Sequence, residues 1–188
     1  VDQNTPVVVY DKDWQNNRQR VSVNVLKKEK DTERVLEGAT FGLYAAADIV
    51  SASGKVLIEA DELIELKATD ANGQIKFIAD LPIDAAYYVK EFHAPDGFVN
   101  AEEVQEFTFE YVGADQAVVE ENFTFEDEAT TVELTKSDIT TGKEIPGCEL
   151  KVVDEGGKLV DEWISTEDAH VIKELVVGKN YTLIETQP

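Results

Sequence analysis

Apolar and polar residues alternate along most of this chain. Such alternation is typical of β-strands with one buried face, because successive residues of a strand point to opposite sides of the sheet. Turn-forming clusters separate the alternating runs, as in DANG (70–73), APDG (94–97) and EGG (155–157). Short strands with regular turns predict an all-β fold of antiparallel β-sandwiches. The clearest alternating runs are RVSVNVLK (20–27), EFTFEYV (106–112), ENFTFED (121–127) and TVELTK (131–136).

Two segments of the chain repeat. VSVNVLKKEKDTERVLEGATFGLY (21–44) aligns with TVELTKSDITTGKEIPGCELKVV (131–153), which sets Lys27 on Lys136. LPIDAAYYVKE (81–91) aligns with LVVGKNYTLIE (175–185), which sets Glu91 on Glu185. The lysine and the glutamate are 91 − 27 = 64 residues apart in the first copy and 185 − 136 = 49 in the second. The first copy therefore carries an insertion near 45–70, for which a long strand followed by a helical turn is one interpretation.

The repeat predicts the domain boundaries. Residues 21–130 are expected to form one complete domain, and residues 131–188 a second domain that lacks its last strand. Residues 1–20 resemble the exit of the first copy and are interpreted as the last strand of a preceding domain. Together with a first residue that is not methionine, this division predicts that the chain is a piece of a longer protein.

The composition excludes several classes of partner. The 188 residues include 39 acidic and 17 basic ones, for a formal net charge of -22, and this charge repels nucleic acid and anionic membranes. No apolar run reaches the ~20 residues that a membrane span needs. The lone cysteine, Cys148, excludes an internal disulfide. His93 and His170 lack zinc-site spacing and residues 11–17 lack the glycine and glutamate of a calcium loop, so no metal or other cofactor is expected.

Odd-numbered and even-numbered residues of a strand point to opposite faces, and this parity directs one ionisable side chain from each of three strands into the core. In each strand the residues that share one face are apolar until the last, which is ionisable. The three sets are Val21, Val23, Val25 and Lys27; Tyr87, Val89 and Glu91; and Phe123, Phe125 and Asp127. The second copy repeats the first two patterns, which end there at Lys136 and Glu185. We therefore expect Lys27, Glu91 and Asp127 to meet inside the sandwich.

A buried cluster of one lysine and two carboxyls has two chemical outcomes. Buried charges cost several kcal/mol unless they pair or change protonation, so one outcome is an unreacted ion cluster. In the other, burial favours a neutral Lys27 amine, and protonated Glu91 polarises the carbonyl of Asp127. Held in contact, amine and carboxyl condense with loss of one water. The product is an isopeptide bond from Lys27 to Asp127.

The two copies resemble a known family at two motifs. The first motif appears as KKEKDTERVLEGA and KSDITTGKEIPGC, and the second as YYVKEFHAPDGF and YTLIETQP. Both resemble the collagen-adhesin B-type (Cna B-like, SpaA-type pilin) domain of Gram-positive surface proteins. The resemblance implies a prealbumin-like, inverse immunoglobulin-type sandwich and a bond from a first-strand lysine to a last-strand Asn or Asp, promoted by a glutamate. By position these residues are Lys27, Asp127 and catalytic Glu91, with Lys136 and catalytic Glu185 in the second copy.

Asparagine is the commoner acceptor in that family, and the chain has asparagines close to the positions concerned. Asn122 lies near Asp127 but has the opposite parity to Phe123 and Phe125, which ranks it below Asp127. For the preceding domain, Asn16 or Asn17 is the candidate acceptor.

The resemblance implies a structural role on the cell surface. The module would be part of a stalk or pilus, extracellular and anchored to the cell wall through regions outside this chain. Its partners would be neighbouring domains, other pilin subunits or host matrix, and the crosslink would be a single self-modification rather than enzymatic turnover. The alternatives are a ligand-binding adhesin module that uses the 45–70 insertion to bind a host matrix protein or glycan, and a transthyretin-like accessory domain without a crosslink.

Overall fold

The computed structural model describes residues 18–187. The strand predicted for residues 1–20 lies largely outside this range, and Asn16 and Asn17 lie outside it. Within 18–187 the regular structure consists of fifteen β-strands and no helix, which confirms the all-β prediction. None of the described residues therefore belongs to a helix that could cross a bilayer.

Ten strands form a first sandwich, which spans residues 18–129. Two four-stranded sheets have the orders β6-β1-β10-β8 and β5-β2-β7-β9, and β3 pairs with β4 in a short hairpin. Apolar side chains of both four-stranded sheets share one buried core, so the two sheets face each other. The ten strands are β1 (Arg20–Glu29), β2 (Thr40–Ala45), β3 (Ile49–Val50), β4 (Val56–Ile58), β5 (Leu63–Ala68), β6 (Gln74–Phe77), β7 (Ala85–His93), β8 (Phe98–Val99), β9 (Val104–Phe109) and β10 (Val118–Ala129).

The first and last strands of this sandwich, β1 and β10, run parallel to each other. The other strand pairs within the described residues are antiparallel, as the sequence predicted. Alternation could not reveal the exception, because parallel and antiparallel strands share the same period of two. The parallel register sets Lys27 opposite Phe125 and Glu29 opposite Asp127, so Lys27 and Asp127 point to the same face of the sheet.

Five further strands form the C-terminal sheets, which span residues 131–187. They pair in the orders β11-β14 and β13-β12-β15, just as β1, β2, β5, β6 and β7 pair in the first sandwich. One difference stands out: β1 lies between β6 and β10, whereas β11 has β14 as its single partner among the described residues. The five strands are β11 (Thr131–Leu134), β12 (Glu149–Asp154), β13 (Leu159–Ile164), β14 (His170–Lys173) and β15 (Tyr181–Gln187).

The insertion near 45–70 contains the β3–β4 hairpin and a turn that leads into β5. The structure has neither the helical turn nor the single long strand that the sequence suggests there, because a turn with Asp61 at φ 62° separates β4 from β5. The C-terminal sheets pass from β12 to β13 without such a hairpin.

A small joint connects the first sandwich to the C-terminal sheets. The backbone N–H of Thr130 donates to Gly97 O at 2.8 Å, and Glu174 N–H donates to Thr130 O at 2.9 Å. Arg34 donates from both terminal nitrogens to the carboxylate of Glu174 and lies over the ring of Phe98. Gly97 has φ +85°, and a Cβ there would lie 2.8 Å from Glu174 O, so only glycine suits this contact.

Candidate functional site

Three ionisable side chains meet at the centre of the first sandwich. Lys27 on β1 places its Nζ 2.6 Å from Asp127 Oδ1 on β10 and 3.0 Å from Glu91 Oε2 on β7. The three residues are 0%, 0% and 2% exposed respectively. The cluster therefore lies in the dry interior between the two sheets, with contacts of hydrogen-bond length.

The sequence produces this arrangement through register and apolar packing. β1 and β10 are neighbours in one sheet, and β7 faces them from the other sheet, where Glu91 pairs with Phe41. The ring of Phe41 lies 5.6 Å from Lys27 Nζ and 4.8 Å from the ring of Phe125. These rings wall off the cluster from water, which strengthens every electrostatic interaction inside it.

Burial changes the protonation of Glu91. Desolvation raises the pKa of its carboxyl to about 7, Lys27 opposes the rise, and the neighbouring Asp127 adds to it. The raised pKa allows the Glu91 carboxyl to hold a proton near neutral pH. With that proton in place, one ammonium, one carboxylate and one neutral carboxyl make a cluster with no net charge, which a low-dielectric interior tolerates best.

Two oxygens of the cluster have no hydrogen-bond partner among the described residues. They are Glu91 Oε1 and Asp127 Oδ2, and both are buried. An unpaired buried carboxylate oxygen is costly, whereas a protonated one is less so and can donate. These oxygens are consistent with a proton held on the carboxyls of the cluster.

The second copy reproduces the pair but not the burial. Lys136 Nζ donates to Glu185 Oε2 at 2.8 Å, and the two side chains are 32% and 34% exposed. The hydrogen bond and the negative charge of Glu185 raise the pKa of Lys136, so its amine stays protonated. Among the described residues Glu185 is the single salt-bridge partner of this lysine, and no counterpart of Asp127 lies nearby.

Asn122 lies outside the cluster. Its Oδ1 accepts a hydrogen bond from Asn24 Nδ2 at 3.0 Å on the exposed side of the sheet, opposite to Asp127. This is the face that its parity indicated.

Sequence reasoning missed two residues that contact the cluster through the loop between β8 and β9. The backbone N–H of Ala101 donates to Asp127 Oδ1 at 3.4 Å, and Asn100 Nδ2 donates to the backbone oxygen of Glu91 at 3.3 Å. No pattern in VNAEEV (99–104) could have indicated them, because a backbone amide carries no signature in the sequence. The described residues contain no group of three or more His, Cys, Asp or Glu side chains arranged to hold a metal ion.

Comparison with known families gives one match. The family model of the SpaA prealbumin-like fold domain matches residues 21–123 and 130–188. No curated protein sequence matches the chain.

Solved structures that the chain resembles come from several bacteria. The chain is similar to the Bacillus anthracis TIE protein, at 26% identity and a TM-score of 0.53, over 90% of this chain and 29% of that one. It is similar to a streptococcal ancillary pilin (21% identity, TM-score 0.41, 92% of this chain and 55% of that one). It is also similar to the shaft pilin SpaA of Lactobacillus rhamnosus GG (15% identity, TM-score 0.42, 90% and 88%). The chain spans less than a third of the TIE protein and about half of the ancillary pilin.

Proposed function

The chain belongs to the family of SpaA prealbumin-like fold domains, and from this premise we propose that it is a structural module in the stalk or pilus of a Gram-positive surface protein. Its first sandwich is locked by an isopeptide bond between Lys27 and Asp127 that Glu91 promotes. The observation that carries the proposal is the buried contact of Lys27 Nζ with Asp127 Oδ1 at 2.6 Å and Glu91 Oε2 at 3.0 Å.

The bond forms by condensation inside the neutral cluster. A proton passes from Lys27 to Asp127, which leaves a nucleophilic amine beside a neutral carboxyl, and Nζ then attacks Cγ of Asp127. The new C–N bond forms, Glu91 gives a proton to the departing hydroxyl, and water leaves. Glu91 then takes a proton from the nitrogen and returns to its protonated state. The reaction occurs once per molecule, so the chain is not a turnover enzyme.

The position of the bond explains its mechanical use. β1 and β10 are parallel neighbours over ten residue pairs, so a pull on the start of β1 and the end of β10 shears one strand past the other. With the bond in place, force passes from Lys27 directly to Asp127 and bypasses the 99 residues between them (127 − 27 − 1 = 99). By the chain-entropy estimate for crosslinks, a loop of this size also stabilises the folded state by ~4.7 kcal/mol.

The module is one of a series. We assign residues 21–130 to one domain and residues 131–188 to a second, with Lys136 and Glu185 as the corresponding crosslink residues of the second. Matching strand orders in the two parts support this division. Neighbouring domains of the same surface protein and other pilin subunits are the proposed partners, on the outside of the cell wall.

Intact-mass measurement of the purified chain tests the proposal. The mass should be lower than the sequence mass by one water, and fragmentation should assign the link to Lys27 and Asp127. In the matched variant Glu91→Gln, which keeps the size of the side chain but cannot relay a proton, the full sequence mass should return. An unmodified mass for the parent chain would leave an ion cluster, and the mechanical role would lose its support.

A second candidate function, ligand binding by the insertion, is favoured by a separate observation. Four large apolar side chains of the insertion and of the start of β5 are 40–57% exposed, namely Val50, Val56, Leu57 and Leu63. Exposed apolar groups in one region are typical of binding surfaces. Binding to arrays of matrix proteins and glycans that vanishes in Leu57→Ser, with the crosslink intact, would support this function.

A further inference from the structure

We propose that the backbone N–H of Ala101 stabilises the oxyanion that forms on Asp127 during crosslinking, and that Asn100 is the positioning residue that holds this N–H in place. This inference rests on the proposed crosslink. It assigns a role to the loop between β8 and β9, which neither motif of the sequence includes.

The donor is aimed at the reacting carboxyl. Ala101 N–H donates to Asp127 Oδ1 at 3.4 Å, and Lys27 Nζ lies 2.6 Å from the same oxygen. Asp127 is fully buried, so few other donors can reach it. A contact that is long before reaction is expected to shorten when the oxygen gains negative charge.

One side chain fixes the loop that carries this donor. Asn100 Oδ1 accepts the N–H of Glu102 at 2.6 Å, which closes a tight turn around Ala101. Asn100 Nδ2 donates to the backbone oxygen of Glu91 at 3.3 Å. Glu102 adopts φ 55°, a left-handed conformation that is unusual for a non-glycine residue and that often marks a functional site. Asn100 thus ties the turn directly to the strand that carries Glu91.

The arrangement distinguishes the two oxygens of Asp127. When Nζ adds to Cγ, negative charge develops on Oδ1, where the Ala101 N–H can stabilise it. Oδ1 is retained as the carbonyl oxygen of the new amide. Oδ2, which has no hydrogen-bond partner among the described residues, receives through Glu91 the proton that Lys27 gives up, then takes a second proton from Glu91 and leaves as water.

The direct test replaces the amide of Ala101 with an ester, which removes the N–H and changes little else. The ester is introduced by nonsense suppression during pulse-labelled cell-free translation. Portions of the labelled protein are denatured at intervals to stop the reaction, and intact mass then gives the crosslinked fraction. We expect crosslinking to slow about tenfold or more, since loss of one oxyanion donor in an enzyme slows reaction by ~10²–10³ and this contact is long.

Variants of Asn100 test the positioning role. Asn100→Ala loses both hydrogen bonds of the side chain and should slow crosslinking about tenfold. Asn100→Asp can still accept the Glu102 N–H and should recover most of the rate. Asn122→Ala is the matched control, because Asn122 lies on the strand of Asp127 but faces away from it, and its rate should equal that of the parent.

Two further readouts separate chemistry from folding. In a Lys27→Ala background, where no bond can form, Asn100→Ala should change the melting temperature by less than about 3 °C. After transfer of the pulse-labelled chains into buffers between pH 6 and 9, the ester should lower the rate at every pH without moving the midpoint that Glu91 sets. A moved midpoint, or an ester rate within about twofold of the parent, would overturn the inference. A parent chain that never loses water would instead overturn the proposed function.

Discussion

The first sandwich and the C-terminal sheets contain the same lysine–glutamate pair in two environments. The contact distances are nearly equal, 3.0 Å for Lys27 and Glu91 and 2.8 Å for Lys136 and Glu185. The first pair is buried and the second is about one-third exposed. Distance alone therefore does not distinguish the site of the proposed crosslink from its exposed counterpart.

What differs is the exclusion of water and the presence of a third group. Burial raises the pKa of Glu91 to about 7, so its carboxyl can hold a proton beside Asp127. In the second pair the hydrogen bond and charge of Glu185 raise the pKa of Lys136, which keeps the amine charged and unreactive. In the first sandwich β10 carries Asp127, the proposed acceptor, and pairs with β1, whereas in the described residues β11 is paired along one edge only.

The largest expected effect comes from removing each lysine in turn. Lys27→Ala should lower the melting temperature of the first sandwich by about 20 °C. It removes the proposed crosslink, which is worth ~4.7 kcal/mol, and in a domain of this size each kcal/mol of lost stability lowers the melting temperature by about 4 °C. Lys136→Ala should change the melting temperature by less than about 3 °C, since exposed ion pairs contribute little. Differential scanning calorimetry of the two variants and the parent measures both.

Lys27→Ala also leaves two carboxyls without a cation, so a second variant isolates the bond. Glu91→Gln keeps the contact between Lys27 and Asp127 but blocks condensation, and its melting temperature should fall nearly as far. Equal losses for Lys27→Ala and Lys136→Ala would contradict the distinction between the two sites.

The next effect tests whether dryness makes the first site reactive. Phe41→Ala removes the ring beside Lys27 Nζ, costs about 3–5 kcal/mol of core stability and admits water. The pKa of Glu91 should then fall toward its ordinary value, and each unit of decrease lowers the protonated fraction above neutral pH about tenfold. Crosslinking followed by intact mass should slow accordingly.

Leu150→Ala is the matched control for this experiment. Leu150 pairs with Glu185 as Phe41 pairs with Glu91, and it is also buried. Its loss should destabilise the C-terminal sheets but leave the crosslinking rate of the first sandwich unchanged. A Phe41→Ala chain that crosslinks as fast as the parent would remove burial as the cause.

Much of the fold could be predicted from alternation, because the strand period decides which face is buried. The same parity placed Lys27, Glu91 and Asp127 on inward faces, where the structure has them. Parity could not give the parallel direction of β10, since that depends on where the chain crosses between sheets. It also gave no warning that Leu183 would be 48% exposed, because exposure depends on which strands cover a face. The roles proposed for Asn100 and Ala101 depend on a turn and a backbone amide, which no side-chain pattern encodes.

A smaller effect is the pH dependence of crosslinking. The neutral pair of Lys27 amine and Asp127 carboxyl contains the same number of protons as the ionic pair of ammonium and carboxylate. The proton count of the reactive state therefore differs from that of the inactive state only in the proton on Glu91. The rate constant should be level below about pH 7 and fall about tenfold per unit above it, because the raised pKa of Glu91 lies at about 7. Pulse-labelled chains transferred to different buffers give this profile by intact mass. A rate that rises with pH would mean that deprotonation of the amine, and not the proton on Glu91, is limiting.

The smallest expected effect concerns the joint, which decides whether the two regions melt independently. Arg34 and Glu174 are half-exposed, so their pair should contribute at most ~0.5–1 kcal/mol. A double-mutant cycle of Arg34→Ala and Glu174→Ala measures the coupling between the two residues. Trp163 fluorescence in a Trp14→Phe background is the probe of the C-terminal sheets.

The coupling also depends on pH. Arg34 lowers the pKa of Glu174, so the stabilisation by the ion pair is present above the ordinary glutamate pKa and is lost as the pH falls through the lowered value. A coupling of zero at neutral pH would show that this ion pair adds nothing to the stability of either region, which leaves the backbone hydrogen bonds of Thr130 as the contacts that hold the joint together.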